Sequence, residues 1–340
     1  MSQAECQQKD IAKALGISQV SVSLALRNSP RVSKVTREKV AKMAAKMGYK
    51  RNPFSSALRA RRGKGQHAAF KGTIAWLTNF PDRDGWKEDW ILEYYHGAAA
   101  ACESMGYELD PFWYRESGIS PKRLGSMLRS RGIVGIIIPP QPHAHIRMEF
   151  DWDQFCAIRI GYSLEWPPLN LVTNHQFDSV IQILHHLQTK GYQRIGFAVP
   201  RTKSERVLMQ AEGAFLSWQQ TVPKGLRISP YIPQKWSDKT FLNWVRKHSP
   251  DAIILWEQAH IEILRTNGIA VPGDIGVAFI HVQNPACGHS GINQNNTLVG
   301  NSAAKQLVFM IEHGEFGIPD KPQYLLSSGY WVDGLTTVGK

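Results

Sequence analysis

Apolar positions in the first seventy residues fall in short helical stripes. In Gln8–Leu15, Ile11, Ala12 and Leu15 share one face at i, i+1 and i+4. Gly16 follows, where a left-handed residue ends a helix. Ser18 can cap a second helix over 19–27, in which Val22, Ala25 and Leu26 repeat at i, i+3 and i+4. Ser33 can cap a third over 34–47, with Val40, Met43, Ala44 and Met47 as its inner stripe and Gly48 as its stop. Two short helices joined by a glycine-containing turn and braced by a third form a helix-turn-helix arrangement. The outward positions of the second helix are Gln19, Val20, Ser21, Ser23, Leu24 and Arg27, small and polar groups suited to base edges and thymine methyls. Asn52-Pro53 then opens a short helix to about residue 60, with Phe54, Ala57 and Leu58 on one side. Arg59, Arg61, Arg62 and Lys64 follow, and the composition changes near residues 62–71.

Beyond that point the period switches. Apolar runs at 73–77, 133–138, 157–160, 195–199, 252–255 and 277–280 predict buried strands. Helical stretches lie between and after them, at 90–105, 121–131, 176–190, 204–219, 239–248, 259–267 and 301–312. Strands alternating with helices predict an α/β body with parallel sheets, and 340 residues leave room for two stacked lobes behind the head.

Charge changes the picture more than composition does. Residues 1–70 carry 15 lysines and arginines against Glu5, Asp10 and Glu38, whereas residues 71–340 carry 25 bases and 25 acids. A polyanion-binding head on a neutral body explains that asymmetry. Apolar residues make up 43% of the chain, enough for packed cores, and no run approaches the roughly 18 apolar residues of a membrane span. The polar N-terminus lacks a secretory core segment, so the chain is read as cytoplasmic, without a membrane partner. Cys6, Cys102, Cys156 and Cys287 lack metal or disulfide spacing and read as reduced, mostly buried thiols.

The order Asp10-Ile-Ala-Lys-Ala-Leu-Gly-Ile-Ser18, Val20-Ser-Val-Ser23, Val32-Ser33, Thr36-Arg-Glu-Lys-Val40, Met47-Gly-Tyr49, Asn52-Pro53 and Leu58 closely resembles the DNA-binding head of the lactose/galactose repressor (LacI/GalR) family of bacterial regulators. The body resembles that family's regulatory domain more loosely, through Gly191-Tyr-Gln-Arg-Ile-Gly196, Val271-Pro-Gly-Asp-Ile275 and Gly291-Ile-Asn-Gln-Asn295. The resemblance implies a periplasmic-binding-protein-like body of two α/β lobes joined by three crossings. It also implies an effector in the cleft and a homodimer on a near-palindromic operator. Its domains would be a head over 1–51, a hinge helix and linker over 52–71 and a body over 72–340. Lobe one would span 72–168 and 296–322, and lobe two 169–295 and 323–340. Gln19 and Val20 become base readers, with Ser18, Ser21, Ser23, Leu24, Arg27 and Asn52 beside them. Lys34, Arg37 and Arg59 become phosphate contacts, and Leu58 the minor-groove wedge.

Leu24 stands where many members have arginine, so operator preference does not transfer. Gln210, before Gly213-Ala-Phe215, replaces the arginine of many sugar-binding members. His281 replaces an aspartate at a strand end, and Glu257 matches a loop acid. With Asn79, Trp86, Asn174 and Gln294 they make up the expected effector site, for a small molecule that includes carbohydrates among its candidates. Trp76, Trp86, Trp90, Trp113 and Trp256 could line that cleft or simply pack in the cores. The changed residues also leave open an effector-independent regulator with a degenerate pocket. His143, His145, His185, His186, His281 and His289 show no metal-ligand spacing, so no metal or other cofactor is expected. Ser204 and His175 lack a nucleophile elbow, and no phosphate loop or dinucleotide fingerprint is present, which argues against an enzyme.

Overall fold

A computed structural model describes residues 7–26, 32–49 and 70–340. Arg27, Asn52, Leu58, Arg59, Cys6 and most of the expected hinge lie outside the described residues. The head contains α1 (Gln8–Leu15), α2 (Gln19–Leu26) and α3 (Lys34–Lys46). Its core is Ile11, Ala12, Val22, Ala25, Val40 and Ala44, with Leu15, Leu26, Met43 and Met47 packed against it. Gly16 ends α1 at φ 63°, a left-handed conformation that a Cβ would strain. Ser18 Oγ accepts from the Ser21 amide at 3.0 Å, and Ser33 Oγ accepts from the Thr36 amide at 3.2 Å. Replacing Ser33 with alanine is expected to cost the head about 1 kcal/mol. Amides of α3 should then exchange about five times faster in hydrogen-exchange mass spectrometry; unchanged exchange would show that the cap contributes nothing.

The body contains β1 (Gly72–Thr78), α4 (Asp89–Ser104), β2 (Tyr107–Trp113), α5 (Pro121–Ser130), β3 (Gly135–Ile138), β4 (Ile146–Arg147), β5 (Cys156–Ile160), β6 (Leu164–Trp166) and β7 (Asn170–Asn174). It continues through α6 (Gln176–Thr189), β8 (Ile195–Ala198), α7 (Arg201–Arg206), α8 (Gln210–Gln219), α9 (Asp238–His248), β9 (Ala252–Leu255), α10 (His260–Thr266), β10 (Gly276–Phe279) and β11 (Ser290–Asn293). Helix α11 (Asn296–His313) and strands β12 (Tyr324–Ser327) and β13 (Tyr330–Val332) complete it. One sheet has the order β12-β7-β5-β3-β1-β2 and is parallel throughout. The other has the order β13-β11-β10-β9-β8, antiparallel only between β11 and β13.

Each strand feeds two cores because successive side chains point to opposite faces. In β1, Ile74 and Trp76 face α4 and α11, whereas Ala75 and Leu77 face α5. In the second sheet, Ile254 faces α6 and α8, and Ile253 and Leu255 face α9 and α10. Parallel sheets covered on both faces require such doubly apolar strands.

The chain passes between the sheets three times: between β7 and α6, between β11 and α11, and between β12 and β13. Two expected lobe boundaries move. Asn170–Asn174 pairs with β5 and β12, so lobe one continues to 174 rather than 168. Tyr324–Ser327 also belongs to the first sheet, so the last crossing follows 327 rather than 322. Neither strand has the uninterrupted apolar run that marks a buried strand from sequence. The helix expected over 204–219 is two helices, because Leu208 and Met209 take left-handed φ values of 51° and 54°. The last long helix begins at Asn296 rather than 301, where Asn295 Oδ1 accepts from the Leu298 amide at 3.3 Å. No described helix is long and apolar enough to cross a membrane.

Candidate functional site

Two surfaces collect the candidate residues. On the head, Ser18, Gln19 and Val20 are exposed at the start of α2, with Val20 68% exposed. Such an apolar side chain has no packing role there and is free to meet a thymine methyl. Ser21, Ser23 and Leu24 are half-buried beside them. Ser18 and Ser21 hydroxyls also share a hydrogen bond of 2.9 Å, which ties both to the helix cap. Lys34 is exposed and Arg37 half-buried in the first turn of α3. Amide groups of the first turns of α2 and α3 add partial positive charge to that of these basic side chains.

The second surface is the cleft between the sheets. Parallel strands of an α/β sheet end at the crevice where ligands bind, so their C-terminal ends supply its walls. From lobe one, the Asn79 amide donates to Gln141 Oε1 at 3.1 Å, and Arg115 Nε donates to Asn79 Oδ1 at 2.7 Å. From lobe two, Arg206 Nη2 donates across to the Gln141 carbonyl at 2.8 Å. Gln210 Nε2 donates to the Tyr162 hydroxyl at 2.9 Å. The Arg206 guanidinium lies 5.2 Å from the Trp90 ring centroid, a cation–π arrangement. Burial pulls the Arg206 pKa below the usual guanidinium value and raises that of Tyr162.

At the back of the cleft the crossing segments clasp one another. Tyr94 Oη donates to Asn174 Oδ1 at 2.5 Å. Asn174 Nδ2 donates to the Gln294 carbonyl at 2.9 Å and to Asn296 Oδ1 at 3.0 Å. The side-chain amides of Gln294 and Gln176 exchange reciprocal bonds of 3.0 Å, and Gln294 Nε2 also reaches the Ile280 carbonyl at 3.1 Å. Asn174 and Gln294 therefore tie together the segments that cross between the lobes, which act as the inter-lobe hinge, with their amide groups engaged by protein partners.

The other expected effector residues divide. Glu257 pairs with Lys203 at 2.8 Å. Neither His281 ring nitrogen has a hydrogen-bond partner among the described residues, and burial lowers its pKa to about 4, so the imidazole is neutral near pH 7. Trp86 is a correction: it is 3% exposed in the lobe-one core, its ring 6.1 Å from Trp76 and 5.1 Å from Tyr95. Trp76 is likewise buried, whereas Trp90 is the tryptophan that meets a cleft residue from the other lobe. Arg206, Gln141 and Tyr162 join the cleft without being among the residues expected from sequence. Arg206 carried one signal, its place in the first short helix after a buried strand, close to a strand end.

Other polar residues have local tasks. Ser204 Oγ donates to Glu212 at 2.8 Å, and His175 Nδ1 accepts from the Asp178 amide at 3.0 Å to cap α6. Among the described residues, no three His, Cys, Asp or Glu side chains cluster as a metal site would need. Cys102 and Cys156 are buried, and burial pushes both thiols up to about 12, but Cys287 is exposed.

Residues 8–52 match the family model described as bacterial regulatory proteins, lacI family. A search of curated proteins gave no match. Among solved structures, the chain is similar to a transcriptional regulator CelR–cellobiose complex, with 19% identity, a TM-score of 0.56, and 98% of this chain and 100% of that one covered. It is similar at 18% identity and TM-score 0.56 to the lac repressor dimer bound to operator and the anti-inducer ONPF, over 98% of this chain and 100% of that one. A lacI-family regulator from Weissella paramesenteroides with bound glucose aligns over 78% of this chain and 98% of its own, at 14% identity and TM-score 0.56.

Proposed function

The chain carries a lacI-family head on a body with the two-lobed fold of such regulators, and from this pairing we infer a sequence-specific transcriptional repressor whose DNA affinity is set by a small molecule in the cleft. The observation that carries the reading is the head. It is a helix-turn-helix with Gln19 and Val20 exposed at the start of α2, and the chain's whole excess of positive charge falls within residues 1–70 of the sequence. Phosphate attraction supplies salt-dependent affinity, and base edges supply discrimination. A two-fold dimer would place two heads on two half-sites of a near-palindromic operator. The protein would act in the cytoplasm, on nucleoid DNA.

Support for effector control comes from the cleft. Arg206 and Gln210 join the lobes through only a few polar contacts, so a ligand competing for them would change the lobe angle. Such a change alters the separation of two heads in a dimer and biases the DNA-competent state. Relatives of this fold were solved with cellobiose or glucose, which makes a hydroxylated effector the natural starting point. A second reading, effector-independent regulation, is favoured by the self-satisfied amides of Asn174 and Gln294.

In-vitro selection from random duplex DNA tests the main reading. The full chain is expected to enrich a two-fold symmetric consensus that a chain starting at residue 72 does not. Uniform salt-sensitive binding without a consensus would reject sequence-specific recognition. Leu58→Ser should weaken binding to the selected operator far more than binding to random duplex, since only a bent specific complex needs the wedge. Equal losses would refute that role.

A further inference from the structure

We infer that the cleft ligand carries an anionic group, a carboxylate or a phosphate on a hydroxylated skeleton, and that Arg206 receives it. The inference rests on the effector reading above. Arg206 forms no ion pair with any carboxylate of the described residues; its one hydrogen bond goes to the Gln141 carbonyl. The acids that act on it from a distance are already engaged. Glu88 Oε2 accepts from Trp90 Nε1 at 2.5 Å, and Glu257 pairs with Lys203 at 2.8 Å. A guanidinium has five N–H donors in a planar fork, so most of the fork is left for a partner. A half-buried cation with no carboxylate in direct contact among the described residues keeps part of a desolvation cost that a ligand carboxylate or phosphate would offset. Bidentate pairing with either group suits that fork.

Two further arginines line the same region, alongside the Glu88 and Glu257 carboxylates. Arg115 approaches the same Asn79–Gln141 unit from lobe one and also lacks a carboxylate partner among the described residues. Arg159, 7% exposed, has an unpartnered Nε and lies within electrostatic reach of Tyr162. The skeleton follows from the neutral groups. Gln210 and the Tyr162 hydroxyl bond each other across the cleft and can rebond to a ligand hydroxyl. His281, two residues past the end of β10, has two buried ring nitrogens without partners among the described residues, a neutral donor and a neutral acceptor at a strand end. Leaving such groups unpaired is costly, so a ligand that meets them is favoured over a plain anion.

The test measures thermal shifts of the full chain with D-gluconate, glucose 6-phosphate and glucose, each at 10 mM and equal ionic strength, for the wild type, Arg206→Lys and Arg206→Gln. At least one anionic sugar is expected to raise the melting temperature by several degrees, with glucose giving less than one degree. Arg206→Gln should abolish the shift, and Arg206→Lys should keep part of it. A response to gluconate alone assigns the carboxylate, and to glucose 6-phosphate alone the phosphate. The head also attracts anions, but it is intact in Arg206→Gln, so a shift that persists there overturns the assignment. An equal shift with glucose, or none with either anion, overturns it too. The DNA selection reads the regulator proposal separately: a symmetric consensus without an anion shift rejects only the anion, and the converse rejects only the regulator.

Discussion

Val20→Glu is expected to weaken binding to the selected operator about 100-fold while leaving the head folded. The side chain is 68% exposed on α2, so its replacement should change stability by less than about 0.5 kcal/mol. Glutamate near a helix N-terminus even interacts favourably with the helix dipole. The loss is therefore a loss of recognition. Removing an apolar contact to a thymine methyl costs about 1–3 kcal/mol of discrimination, and a new negative charge beside phosphates adds repulsion. Random duplex loses only the repulsive part, about tenfold. Fluorescence-anisotropy titrations on both DNAs at one salt concentration would decide this. Unchanged operator affinity would remove the start of α2 from the reading surface.

Gly300→Val is expected to destabilise lobe one by about 3–5 kcal/mol, the largest single stability effect we foresee. Helices α4 and α11 cross at a pair of glycines. A Cβ on Gly300 would stand 1.9 Å from the Tyr94 carbonyl oxygen, and one on Gly97 the same distance from that of Thr297. The obstacle is backbone, which cannot rotate away, so the helices must separate and uncover Ala98, Ala303 and Leu307. Helix α11 also begins at Asn296, which joins the Asn174 clasp, so the damage should reach the hinge. Gly213→Ala in α8 is the control. Nothing lies within 4 Å of its added Cβ, and alanine should be neutral or stabilising by about 0.5–1 kcal/mol. Urea titrations followed by tryptophan fluorescence would compare the midpoints. A Gly300→Val midpoint matching that of Gly213→Ala would disprove the close crossing.

The sequence was most legible where structure is local. Gly16, Ser18 and Ser33 set helix ends through their own backbone and side-chain chemistry, and α1 follows them residue for residue. Strands buried on both faces, such as Ala252–Leu255, declare themselves because every side chain must be apolar. Strands with polar or exposed positions do not. Tyr107–Trp113 is an edge strand containing Glu108, Asp110 and Pro111, and nothing in its pattern demands a sheet. Asn170–Asn174 is buried, yet its asparagines spend their polarity on the hinge and on the Gln323 amide. The turn at Leu208 and Met209 carries no glycine or proline, the usual sequence marks of left-handed backbone.

By itself, the sequence determined the helix-turn-helix head, the concentration of positive charge on it and the alternation that builds an α/β body. Those properties depend on residue type and spacing within a few turns of chain. Tertiary structure alone decided which side chains meet in the cleft and which of them remain unpaired. It took Trp86 into the core, closed Asn174 and Gln294 into a clasp and left Arg206 facing the opposite lobe with no carboxylate in direct contact among the described residues. Residues 141 and 206 are brought together by two sheets and the crossings between them. A side chain's partners, and hence its chemistry, depend on distances in space that short-range periodicity does not encode.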